Sequence, residues 1–192
     1  LRRRRAEVLL ASGKPERALA EAETAVALDP ARVEHHLALA RARWAATADL
    51  EGARKALQAA RTLRDSDAAA LLEADLLAAE GGDEKAEAAL ALYGRVLASG
   101  NEPHRREAAL SRGRLRASLG RHDQARADFR KALELGAGAG AMEGLQAAAM
   151  AEDLAHIARR AAAPRATGDQ MKAQLLEIIR QARAGDEEAR RK

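Results

Sequence analysis

Apolar positions recur along this chain in one helical pattern, four times over. Ala18, Ala53, Ala89 and Ala125 each open it, at spacings of 35, 36 and 36 residues. Four residues after each comes Ala22, Leu57, Tyr93 or Phe129, and seven after comes Ala25, Ala60, Val96 or Ala132. Ten after comes Leu28, Leu63, Ser99 or Leu135. Offsets of this kind fall on one side of a helix of about 3.6 residues per turn. A stripe repeated at a near-constant period predicts stacked helical units, each burying its apolar side on the next.

The breaks between stripes predict where helices pair. Gly13 suits the end of a first helix, and Pro15 the first turn of a second. Asp29-Pro30 then stops that second helix, because proline cannot continue the hydrogen-bond ladder. Gly81-Gly82 and Gly120 mark the inner turns of the third and fourth pairs. The pattern thus predicts helix pairs over 1–30, 33–64, 67–100 and 103–136. Gly136, Gly138 and Gly140 predict a break, followed in 137–192 by two helices and a charged tail. The first of these runs from about Met142 to Ala162, where Pro164 ends it. The second starts near Thr167 or Asp169 and aligns Met171, Leu175, Ile178, Ile179 and Ala182 on one side. It fits a cap over the open end of the stack, or a helix that docks on a partner or on a second copy of the chain.

Two segments carry a family likeness. "LLASGKPERALAEAETAVALDP" (9–30) and "RGRLRASLGRHDQARADFRKALELG" (112–136) resemble tetratricopeptide repeats. That family pairs two antiparallel helices, with Gly at the turn and Ala opening the second helix. Gly13, Ala18, Ala25 and Pro30 match in the first unit, and Gly113, Gly120, Ala125, Phe129 and Ala132 in the last. The third unit matches thinly, and Asp65 and Asn101 stand where the terminal proline is expected. The resemblance implies an all-α, right-handed α-solenoid of helix-turn-helix repeats with C-terminal capping helices. It also implies that the first helix of each pair lines a concave groove. Counting back from each repeat's alanine, the expected groove residues are Arg3, Glu7, His35, Ala38, Leu72, Leu76, Glu107, Leu110 and Arg114. Arg3, His35 and Arg114 would select acidic groups, while Leu72, Leu76 and Leu110 would offer apolar contact.

Composition agrees with a helical stack. Hydrophobic residues make up 47% but aromatics only 2%, so the core must be built from Ala and Leu, both strong helix formers. No cysteine is present, which rules out disulfides and thiolate chemistry in this sequence. No run reaches the roughly 20 apolar residues of a membrane-spanning helix, and Glu7 and Lys14 interrupt any secretory leader after Arg2–Arg5. A cytoplasmic setting is favoured, but the chain opens on Leu1, as a fragment of a longer protein would, so a periplasmic one stays open. The Ala/Arg-rich composition points to a GC-rich bacterial genome. Net charge is +4, unevenly spread: 13 basic and 9 acidic residues in 1–66, 2 and 7 in 67–100, 9 and 5 in 101–136.

Candidate chemistry is sparse. His35 and His36 point about 100° apart on a helix and cannot readily share a metal. His122 opens a helix as a packing group, and His104 and His156 have no visible catalytic partner. No nucleophile elbow or phosphate-binding loop appears, so the expectation is no enzyme and no cofactor. Arg2–Arg5 and Arg105, Arg106, Arg112, Arg114 and Arg116 offer phosphate contacts, but single-strand stacking needs more aromatic rings than three. The reading is a non-catalytic protein-interaction module: a scaffold, assembly factor or regulatory domain. The alternatives are nucleic-acid binding through the arginines, or an accessory domain of a larger enzyme or machine.

Overall fold

The computed structural model describes residues 1–162 together with Lys172 and Leu176. Met171, Leu175, Ile178 and Ile179 of the expected docking helix lie outside the described residues, as do Pro164, Thr167 and Asp169. Among the described residues there are nine helices and no strand. They are α1 (Arg2–Ala11), α2 (Pro15–Leu28), α3 (Val33–Thr47), α4 (Leu50–Leu63), α5 (Asp67–Glu80), α6 (Asp83–Ser99), α7 (Glu102–Ser118), α8 (His122–Glu134) and α9 (Ala139–Ala162). The chain divides into two compact units, Leu1–Glu152 and Asp153–Lys192. The fold described below is that of the first.

Local chemistry explains most helix boundaries. Asp49, Ser66 and Asn101 cap α4, α5 and α7 by accepting from the backbone N–H of Gly52, Ala69 and His104 at 2.8, 3.3 and 3.1 Å. Pro15 starts α2 where its missing N–H costs nothing. The inner turns of the pairs carry left-handed residues: Gly13 (φ 67°), Ala48 (φ 52°), Gly81 (φ 72°) and Gly120 (φ 73°). From turn residue to helix-opening alanine the distance is five residues in units one, two and four, but eight from Gly81 to Ala89. α6 begins two residues after Gly81, as α2, α4 and α8 begin two after their turn residues, but it is one turn longer, at 17 residues against 13 or 14. Buried Ala86 therefore holds the five-residue position, and Ala89 lies a turn further on. That added turn is the physical reason the third unit matches the repeat thinly.

The helices stack as an all-α solenoid, each packing on the one before and after it in sequence from α1 to α8. The first helices α1, α3, α5 and α7 also touch one another in order, whereas α2, α4, α6 and α8 do not. A stack whose one side is drawn together and the other splayed curves toward the close side. The close side is therefore the concave one.

Ala18, Ala53, Ala89 and Ala125 are all fully buried at 0% exposure, as are Ala6, Ala40, Ala74 and Ala109 on the first helices. Their small side chains let the axes approach closely. Large side chains then fill what remains: Leu37 and Leu72 in the N-terminal core, Tyr93 and Val96 in the middle, Phe129 in the last pair. Phe129 fits only because Gly113 and Gly144 bracket its ring, since a Cβ at either would lie 2.9 or 2.5 Å from it. α9 begins at Ala139, three residues before the expected Met142, and draws Gly140 into its first turn. Ala141 and Ala148 of α9 are buried against α7 and α8, so the compact unit continues past the Gly-rich stretch to Glu152.

Candidate functional site

Two hollows open on the concave side. One, of about 370 Å³, is lined by Arg3 and Glu7 of α1, Glu34, Leu37 and Arg41 of α3, Ala68 of α5, and His104 and Glu107 of α7. The other, of about 380 Å³, is lined by Trp44 of α3, Asp75, Ala78 and Ala79 of α5, and Ser111, Arg114 and Ser118 of α7. Arg41 and Trp44 are three apart, Ala68 and Asp75 seven, Glu107 and Arg114 seven. Both hollows therefore lie on one face of the same three helices.

Charge on this face is arranged in register with the repeats. Counting back six residues from Gly13, Gly81 and Gly120, and seven from Ala48, gives Glu7, Asp75, Arg114 and Arg41. These equivalent positions read Glu7, Arg41, Asp75, Arg114 along the stack, with alternating sign. Arg3 holds Glu7 at 2.6 Å, and Arg64 holds the nearby Glu34 at 3.2 Å. Among the described residues, no ion pair within 4.0 Å forms at Arg41, Asp75, Glu107 or Arg114.

Asp75 is instead bound by Tyr93, whose hydroxyl donates to its carboxylate at 2.5 Å. Burial pushes the Asp75 carboxyl above its ordinary range. The Tyr93 hydrogen bond opposes that rise, nearby Glu107 adds to it, and Arg41 and Arg114 oppose it. Tyr93 is driven upward by burial first and then by the Asp75 charge, so its hydroxyl remains a proton donor.

The expected groove residues fall into three groups. Arg3, Glu7, Glu107 and Arg114 line the hollows. Ala38, Leu72 and Leu76 are buried at 2%, 0% and 1% and belong to the core, and Leu110 packs half-buried beneath α8 and α9. His35 points to the α2–α3 turn, where its Nδ1 lies 3.1 Å from the Asp29 carbonyl, and His36 Nε2 lies 2.7 Å from that of Pro30. The residues that face the hollows on α3 and α5 include Glu34, Leu37, Arg41, Trp44, Ala68 and Asp75. A shift of one residue along a helix turns a side chain by about 100°, which separates Ala38 from Leu37 and Leu76 from Asp75. The left-handed turn residue keeps the register of the first helix in units one, three and four, whereas α3 runs one residue further before Ala48 and shifts both markers of unit two by one.

The arginines weighed as phosphate contacts are largely engaged. Arg112 donates to both carboxylate oxygens of buried Asp128, at 2.5 to 3.1 Å, and Arg116 donates a further bond at 2.7 Å. Arg2 and Arg5 reach Glu21 at 2.9 and 3.2 Å, and Arg105 donates to the Leu97 carbonyl. The outer side carries a further cleft of about 360 Å³ between α4 and α5, floored by Leu57, Leu76 and Leu77. Its cations are paired with carboxylates: Arg54 with Glu80, Lys55 with Glu51, Arg61 with Glu73. No cluster of three potential metal-binding side chains occurs among the described residues, and no described helix is long and apolar enough to cross a membrane.

Comparison with known proteins follows the fold. The tetratricopeptide-repeat family model matches residues 107–135, which are most of α7 and all of α8. No curated protein sequence matches the chain. Twelve solved chains match its structure. One is the crystal structure of MamA, 19% identical, covering 79% of this chain and 96% of that one at a TM-score of 0.50. At that identity the likeness speaks for the fold. Repeat period, paired helices, family match and structural likeness agree: the chain is a tetratricopeptide-like helical-repeat protein.

Proposed function

We propose that this chain is a non-catalytic interaction module that holds a segment of a partner protein against the concave face of α1, α3, α5 and α7. The observation that supports this most is that Arg41, Asp75, Glu107 and Arg114 stand on that face without ion-pair partners among the described residues, beside the half-buried Trp44. A folded chain gains little by keeping such groups together on a recessed face unless something meets them there. Helix-in-groove and extended-segment recognition both use a surface of this kind. The role is that of a scaffold, an assembly factor or a regulatory domain.

A photoreactive residue placed singly at Ser111 in the hollow or at Gln58 on the outer side tests the assignment in extract of the native host. Adducts to one protein species from Ser111, absent from Gln58, are expected. Adducts from Gln58 alone would move the site to the outer cleft.

A further inference from the structure

From the alternating row Glu7, Arg41, Asp75, Arg114 we infer the chemistry of the bound segment: an extended stretch of protein with basic and acidic side chains alternating at every third position. The inference rests on the concave-face reading and narrows it. Each member of the row comes from a different helix, α1, α3, α5 and α7, at the equivalent position of its repeat. Neighbouring packed helices lie roughly 8–10 Å apart. An extended chain in the polyproline-II conformation advances about 3.1 Å per residue and returns a side chain to the same face every third residue, so one crossing the row presents a new charge to it about every third residue.

Electrostatics excludes partners of a single sign. A uniformly acidic segment, which Arg3 and Arg114 alone would favour, presses carboxylates against Asp75 and Glu107. A uniformly basic one presses cations against Arg41 and Arg114. Each misplaced like charge in a recessed, partly desolvated site weakens binding. A segment reading basic, acidic, basic, acidic across α1 to α7 meets Arg41, Asp75 and Arg114 with their opposites, and its first basic residue shares Glu7 with Arg3. Ala68, Ala78 and Ala79 keep the floor low between the charges, so the backbone of the segment can approach α5.

Three synthetic peptides of equal length test this by fluorescence anisotropy with the full chain at about 0.15 M salt, where surface charges further apart than about 8 Å are screened. One alternates Lys and Glu at every third position, one gathers the same residues into a Lys block and a Glu block, and one replaces every Lys by Glu. The alternating peptide should bind about tenfold more tightly than either other, and Arg41→Glu should abolish that preference. Arg114→Glu, at an exposed position, serves as the second variant should Arg41→Glu fail to fold. Equal or tighter binding of the blocked or all-Glu peptide, or no measurable binding of the alternating one, would overturn the inference. So would a preference that survives both substitutions. Ser111 adducts without a preference for alternation would leave the concave site standing and remove only its charge code.

Discussion

The half-buried Asp75 and the buried Tyr93 form a pair whose titration differs from that of a surface carboxylate. Burial raises the folded Asp75 above its ordinary 3.8, so the folded chain binds that proton more tightly than the unfolded chain. Between the ordinary and the raised value the folded state carries more protons, and stability falls as pH rises through that window. Asp75→Asn keeps an acceptor for the Tyr93 hydroxyl and removes the charge. Its stability relative to the parent chain should grow with pH across the window and stay constant above it. Urea unfolding of both between about pH 4 and 8 measures this, and a difference that is flat or shrinks with pH would refute it. The buried Asp128, 3% exposed, is held by two arginines that converge on it. Asp128→Ala strands both guanidinium groups and should cost about 3–5 kcal/mol; a loss under 1 kcal/mol would show that they find other partners. Ala48 holds a left-handed φ of 52° that glycine adopts without strain, so Ala48→Gly should raise stability by about 0.5–1 kcal/mol despite its entropic cost.

At the scale of helices, close approach is set by small residues. Ala125→Leu puts a large side chain at a 0% exposed contact and should cost about 1–3 kcal/mol. Gly144→Ala offers a sharper test, since an added Cβ falls 2.5 Å from the Phe129 ring. The substitution favours helix by about 1 kcal/mol on an open surface, so a net loss in thermal or urea unfolding can come only from the clash. A net gain would mean that α9 is not seated on Phe129. The repeating alanines and the inner glycines were legible in the chain because they obey the repeat. The role of Gly144 was not legible, since a lone glycine in an alanine-rich stretch gives no sign of an aromatic ring from α8 resting on it. The start of α9 escaped for a related reason: alanines around Gly140 compensate its poor helix preference, and tertiary packing of Ala141 decides the boundary.

Across the whole stack, the concave face follows from order as much as from composition. Which helices line it was readable from the repeat and its family likeness. Which residues line it was only partly readable, because the longer α6 moves the alanine marker of unit three and the longer α3 moves both markers of unit two by one residue. Arg41 and Asp75 carry no motif, and they become a pattern only once the four left-handed turns are aligned and the one extra residue before Ala48 is allowed for. The most direct measurement is hydrogen–deuterium exchange of the chain with and without the protein captured through Ser111. Slowed exchange confined to peptides from α1, α3, α5 and α7, with α2, α4, α6 and α8 unchanged, is the predicted result. Slowing centred on α4 and its outer cleft, with the first helices unaffected, would contradict the account.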